Sequence, residues 1–314
     1  MIHEVRLRAD DPKHGYAPPE PVSNAIRHVP GLLSQAVRMG FQGASTVRGQ
    51  KPRWLRAMSD VRLVGVDGQD EPIIRFDAPQ FGDVAEGLYS QLQMALGFPR
   101  PGPEDTGFDL LGDLLSDLAA HERDSARFDH QLLGRVLRFR RVLDGHFQQM
   151  LITARRYPSE KPAVMDKAVI TTAGEFYEII PSPVRARMVG VLDRLEASTR
   201  SFTVLLDDGA RAHGVLAEGE IDELASLFHR RVLVLGEAAF RPSGRFLRVD
   251  AEHVSLAVNE LPIWSELPEP SDARVDIQTL HMPHGRKRGL AAVVGQWPGD
   301  ETDEEIAELL RELS

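Results

Sequence analysis

Hydrophobic and polar positions change period several times along this chain. Ile2–Arg8 alternates, the two-residue period of a half-buried strand. A Pro-rich stretch through Pro18, Pro19 and Pro21 follows, and residues 30–41 then carry apolar side chains at helical spacing (Leu33, Ala36, Val37, Phe41). Val61–Val66 and Pro72–Phe76 flank Asp67-Gly68, a strong hairpin signal. Residues 83–96 read as a helix ending at Gly97, ahead of the Pro/Gly loop 99–103. From Thr106 onward Leu110, Leu111, Leu114, Leu115 and Leu118 return to helical spacing. A second helix is predicted over 129–152, with Asp129 as N-cap, Leu133, Val136, Leu137, Arg140 and Leu143 in one sector, and Gly134 and Gly145 as weak points. Residues 157–183 change character: Pro158, Pro162, Pro181 and Pro183 bracket one β-like stretch, Glu175–Ile180. This segment reads as a connection, and residues 1–156 as an α+β domain without internal repeats.

Residues 184–258 are the most readable. Arg187–Leu195 alternates around Gly190, and Phe202–Leu206 is a short apolar strand running into the turn Asp208-Gly209. Ala212–Leu216 returns, Glu220–His229 has helical spacing, Arg231–Phe240 is a long strand around Gly236, and Phe246–Val249 pairs back after Pro242-Ser243-Gly244. The order β-β-β-α-β-β resembles the OB-fold, a five-stranded barrel with one helix between its third and fourth strands. Gly190 and Gly236 stand where a strongly coiled strand has no room for a Cβ. The resemblance implies a ligand face on the second and third strands, framed by loops Glu196–Ser201 and Arg241–Arg245. Those loops would bring Arg200, Arg241 and Arg245 to a single-stranded nucleic acid, with Phe202, Phe240 and Phe246 as stacking rings if they are not core.

The end of the chain carries an amphipathic pattern. Thr302 and Glu305 have capping-box spacing, acids crowd the first turn, and Ile306, Leu309, Leu310 and Leu313 fall on one stripe. A helix this short is marginal alone in water, so the stripe needs a cover: its own body, a second copy, or a groove on another protein. With Trp297 before it, the segment resembles the partner-neutralising tails of bacterial antitoxins, which implies Trp297, Ile306, Leu309, Leu310 and Leu313 as partner contacts.

Charge sharpens this picture. Of the net −10, residues 298–314 carry −6, leaving the remainder close to neutral and without long-range attraction for polyphosphate. Arg135, Arg138 and Arg141 nevertheless recur every three residues, with Arg140 beside them, and would form a basic ridge on a helix. The chain has no Cys, which removes disulfides, thiolate nucleophiles and Cys-based metal sites. Thirty-two of the 37 basic residues are Arg, a skew expected of GC-rich, bacterial coding. No apolar run reaches a membrane span and Met1–Asp10 lacks a signal peptide's apolar stretch, so a cytoplasmic location is expected.

Catalytic patterns are missing. No P-loop, dinucleotide fingerprint or G-x-S-x-G occurs. His281 and His284 lack partnering ligands in sequence, Asp129-His130 has no second His at helical ligand spacing, and the row Asp109, Asp113, Asp117 reads as a solvated helix face before it reads as a Mg²⁺ site. The expected architecture is α+β: a mixed domain (1–156), a connection (157–183), an OB-like barrel (184–258), a second connection (259–297) and a tail helix (298–314). The expected role is a non-enzymatic protein-interaction or regulatory component, without metal or cofactor and away from membranes, whose partner is another protein or a second copy. The alternative is single-stranded nucleic-acid binding through Arg135, Arg138, Arg200, Arg241 and Arg245.

Overall fold

The computed structural model describes residues 1–9, 17–47, 49–68, 71–89, 100–143, 145–217, 221–258 and 264–271. Strand β1 (Ile2–Arg8) is followed by α1 (Pro19–Gln42), which begins on the Pro-rich stretch rather than after it. A proline in the first helical turn lacks an N–H that would be unpaired there anyway, so these prolines start the helix. The helix ends at Gly43, whose φ of 74° lets its N–H donate to Met39 O at 2.9 Å. Next come α2 (Arg53–Met58), the hairpin β2 (Arg62–Asp67) and β3 (Ile73–Asp77), then the single turns α3 (Phe81–Val84) and α4 (Glu86–Tyr89). The rest of the helix predicted over 83–96 lies outside the described residues.

Helix α5 (Gly107–Ala119) carries the leucine repeat and a capping box. Thr106 Oγ1 accepts from Phe108 N at 3.2 Å, and Asp109 Oδ2 accepts from Thr106 N at 2.9 Å. The long helix predicted over 129–152 is broken into α6 (His130–Val136), a 3-10 turn Leu137–Phe139 and α7 (Arg140–Leu143). Gly145, at φ 109°, then redirects the chain into β4 (Gln149–Ile152), whose Met150 and Ile152 share a buried face at strand spacing as well as helical reach.

The segment read as a connection over 157–183 contains β5 (Ala163–Asp166) and α8 (Lys167–Ile179). Asp166 caps α8 by accepting from Val169 N at 3.0 Å, and Val169, Ile170, Ala173 and Phe176 enter the N-terminal core. The β-like stretch Glu175–Ile180 is therefore mostly the last turns of α8. Earlier in the helix, burial of the β-branched Val169, Ile170 and Thr172 outweighs their weak helix propensity. The five strands form an antiparallel sheet in the order β2-β3-β1-β4-β5, with α1, α5, α6 and α8 contributing to the core against it.

The second core lies inside a closed barrel. Its strands are β6 (Val184–Glu196), β7 (Ser201–Leu205), β8 (Arg211–Leu216), β9 (Arg231–Phe240) and β10 (Phe246–Leu256), with α9 (Ile221–Ala225) between β8 and β9. Closure runs β10-β8-β7-β6-β9, with β8 and β10 parallel and every other neighbour antiparallel, an arrangement compatible with an OB-like barrel. Met188, Leu192, Phe202, Val204, Val232, Val234 and Val249 fill it.

Domain and barrel belong to one compact unit, Met1–Ser271, and Leu247 of β10 packs in the N-terminal core rather than in the barrel. The connection expected over 259–297 is also partly tied down. The Arg187 guanidinium lies 5.3 Å from the ring centre of Trp264, and the buried Ser265 Oγ accepts from Asp207 N at 2.8 Å. The tail helix expected over 298–314 and its contacts Trp297, Ile306, Leu309, Leu310 and Leu313 lie outside the described residues. No helix among the described residues is long and apolar enough to cross a membrane.

At Gly236 an added Cβ would collide with the Asp250 carbonyl and stand 2.8 Å from Ala251 Cα, both backbone that cannot swing aside. Gly236→Ala is expected to lower stability by about 1–3 kcal/mol in urea denaturation, the range for overpacking.

Candidate functional site

The two loops that frame the expected ligand face of the barrel both rest on the N-terminal domain. In the first, Trp54 Nε1 donates to Ser198 O at 2.9 Å, Gln42 Nε2 donates to Thr199 O at 2.7 Å, and Arg100 pairs with Glu196. In the second, Arg241 Nη1 donates to Asp124 O at 2.5 Å, Ser243 Oγ donates to Asp124 Oδ1 at 2.5 Å, and Arg245 Nη1 lies 2.9 Å from Asp124 Oδ2. Asp124 is thus gripped through its carbonyl and both carboxylate oxygens. The ring candidates are withdrawn as well: Phe202 and Phe240 are buried, and Phe246 packs against the barrel core. Arg200 is exposed, at φ 55° in the turn between β6 and β7.

Between those loops lies a buried ion pair. Arg248 of β10 donates from Nη1 to Asp129 Oδ2 at 3.1 Å, and each side chain is 6% exposed. Asp129 also accepts from Ser45 N at 3.0 Å, Ser45 Oγ at 2.6 Å and Leu132 N at 3.0 Å, so the α6 cap doubles as the counter-ion. Burial pushes its carboxyl pKa up, but Arg248 and these donors outweigh burial and hold it below the usual carboxylate range. Arg248 reaches Asp250 Oδ1 at 2.8 Å and Gly43 O at 3.3 Å, and its own pKa is raised because the two carboxylates outweigh burial. His213 of β8 donates to Gln42 O at 2.9 Å, so close to Gly43 that a Cβ there would stand 2.6 Å from Nε2. Arg248 alternates with Val249, which fills the barrel, and so faces out of it toward the N-terminal domain; in sequence it reads as an ordinary outward strand arginine.

The arginine ridge exists and is wider than its sequence spacing shows. Arg27 and His28 of α1 join Arg135, Arg138 and Arg141. The His28 pKa is lowered by burial and then by Arg138, Arg27, Arg135 and Arg141. Arg135 lies across Gly31 of α1 and donates to Gln35 Oε1 at 3.3 Å. None of Arg27, Arg135, Arg138, Arg140 and Arg141 has a carboxylate within 4.0 Å among the described residues. Asp129, which the sequence places beside them, is spent on Arg248.

The acidic row of α5 is not a solvated face. Asp109 is fully buried, capping its own helix with Oδ2 and accepting from Arg156 N at 2.8 Å with Oδ1. Asp113 takes Arg156 Nη1 at 2.9 and 2.8 Å and Tyr157 Oη at 2.9 Å, while Asp117 takes Ser125 Oγ at 2.5 Å and Arg127 Nη1 at 2.7 Å. The row is engaged by arginines and hydroxyls of this chain, which hold its carboxylates as ion pairs. His130 stacks on Tyr177 with ring centres 3.8 Å apart. Among the described residues no group of three His, Asp or Glu is arranged to hold a metal ion.

Asp129→Ala is expected to cost about 3–5 kcal/mol by removing both the α6 cap and one of the two carboxylates that face the buried Arg248 guanidinium. Combining it with Arg248→Met should cost less than the sum of the two single changes by at least about 1 kcal/mol in urea unfolding. Acid should weaken the fold in two stages. Buried His3 and enclosed His213 have pKa values lowered by burial from 6.5, so the unfolded chain takes up their protons first and stability declines as pH falls below that value. The Asp129 contribution is present above 3.8, the ordinary value, and is lost as pH falls through its depressed pKa. Urea midpoints followed against pH should show the upper decline in the wild type and a shallower one in His3→Gln.

Comparisons with known proteins find no matching family model, no matching curated protein and no matching solved structure, so what the chain does is read from its own residues.

Proposed function

We propose that this chain is a non-enzymatic interaction component of a bacterial multi-protein system, with the barrel as an internal brace and partner contacts made elsewhere. What supports this reading is that both barrel loops grip the N-terminal domain, through Asp124, Gln42, Trp54 and Arg100, while Arg200 and Arg245 stay exposed. Partner contact then falls to the C-terminal segment, whose Ile306, Leu309, Leu310 and Leu313 stripe is too short to be stable uncovered. The partner is another protein presenting an apolar groove with a basic rim, complementary to the acids of the segment's first turn.

One observation favours a second reading. The cations around His28, which have no carboxylate within 4.0 Å among the described residues, offer a footprint for single-stranded nucleic acid, now built from Arg135 and Arg138 with Arg27 and Arg141 rather than from Arg241 and Arg245.

The first reading predicts a protein that co-purifies with the full chain, at constant ratio to it, and is lost both on truncation after Gln296 and in Leu309→Glu/Leu310→Glu. Identical captured proteins with all three would contradict it. The second reading predicts binding of a fluorescent single strand at low salt that weakens steeply with added salt and disappears in Arg138→Glu/Arg141→Glu. Anisotropy that stays flat at low salt removes it.

A further inference from the structure

A second feature of the interface points to a ligand. Between α1, α5, the 100–105 segment and the turn after β9 lies a cavity of about 490 Å³, within the usual range for small-molecule sites. Met39 and Leu110 give it an apolar side, and Arg100, Arg127, Arg156 and Arg241 converge on it from four separate segments. Three of these arginines have carboxylate partners. Arg100 pairs with Glu196, Arg127 with Asp117, and Arg156 with Asp113. Arg241 does not. Its Nη1 donates only to the Asp124 carbonyl, and its Nε is buried without a hydrogen-bond partner. No carboxylate lies within 4.0 Å of it among the described residues.

The acids of the cavity are already committed. Asp105 accepts from Arg155 Nη2 at 2.5 Å and from Gly102 N at 2.9 Å, Asp113 holds Arg156 and Tyr157, and Asp124 holds Ser243 and Arg245. Arg241 is therefore a partly buried cation with an unpaired Nε, lining a cavity beside three guanidiniums whose orientation is set by their own partners. The nearby Asp124 carboxylate already favours its charge, so what an oxyanion would add is a direct acceptor for the guanidinium. The planar fork of arginine matches phosphate oxygens two at a time, and fixed donors bind with little loss of side-chain freedom.

We propose that this cavity is a binding site for a small phosphate-type oxyanion, free phosphate or the phosphoryl group of a small metabolite, held by Arg241 with Arg127 and Arg156 alongside. Arg241 belongs to the barrel turn, whereas Met39, Leu110, Arg127 and Arg156 belong to the N-terminal domain. A bound anion would thus add a bridge across the same interface as Asp129 and Arg248, and its binding would raise the stability of the whole unit.

The test is titration calorimetry of the full chain with inorganic phosphate, sodium acetate and a nucleoside monophosphate, each at ionic strength held constant with chloride. Phosphate is expected to bind with one-to-one stoichiometry and to raise the melting temperature, with acetate weaker. Tighter binding of the monophosphate assigns a metabolite, and equal or weaker binding assigns free phosphate. Arg241→Met should weaken phosphate roughly ten- to hundredfold, the loss of a charge-assisted hydrogen bond. Arg56→Gln removes the same charge from the exposed side of α2, away from any site described, and should leave binding unchanged. If Arg241→Met fails to fold, Arg241→Lys keeps the charge without the fork and should still weaken binding. Absence of phosphate binding by the wild type, acetate bound as tightly as phosphate, or equal losses in the Arg241 and Arg56 variants would each overturn the proposal.

Discussion

Burying a guanidinium and a carboxylate together is favourable only when nearly every donor and acceptor of both finds a partner, and the contact between Arg248 and Asp129 meets that condition. Four donors converge on the two oxygens of Asp129, from Ser45, Leu132 and Arg248. The guanidinium is in turn divided among Asp129, Asp250 and the Gly43 carbonyl. Those partners come from the end of α1, the cap of α6 and β10. If the barrel moved away from the domain, Asp129 would lose its counter-ion, while Arg248 would keep only Asp250 of its own strand. The pair is weak evidence for added stability against an apolar alternative, but strong evidence that the two halves have one arrangement.

Several neighbouring features are consequences of that docking. Gly43 is the residue that ends α1 and also the residue against which His213 packs, so a side chain there would strain the backbone and displace the imidazole together. Leu247, one position before Arg248, leaves the barrel core and joins the N-terminal one. The turn after β9 seizes Asp124, and the turn after β6 takes Trp54 and Gln42. A barrel face that single-stranded ligands commonly use has become an intramolecular interface. The ridge around His28, the exposed Arg200 and Arg245, and the cavity lined by Arg241 are among the features left on the described surface.

Elements with strong local signals were legible in the chain. Asp67-Gly68 announced the β2–β3 hairpin, Thr106 and the leucine repeat announced α5, and the strand–turn pattern of 184–258 announced a five-stranded barrel. Elements whose identity depends on distant burial were not. Met150 and Ile152 fit a helix sector as well as a strand face, and only pairing with β1 decides between them. Val169, Ile170 and Thr172 favour strands by propensity, yet the Asp166 cap and the N-terminal core make them helical. Candidate-site residues divide the same way. Spacing located Arg135, Arg138 and Arg141, but Arg27 joins them only because α1 packs there. Arg241 and Arg245 were found as arginines in a barrel loop, whereas their engagement with Asp124 is a tertiary fact with no local trace.

The central claim is that domain and barrel are one cooperative unit through their shared interface. Native-state hydrogen exchange measures this directly, because amides in independently unfolding parts exchange with different free energies. The account predicts that the slowest amides of β1 and β4 and those of β6 and β9 exchange with the same opening free energy and the same denaturant dependence. A barrel whose amides open at distinctly lower free energy, while those of the N-terminal sheet stay protected, would contradict it.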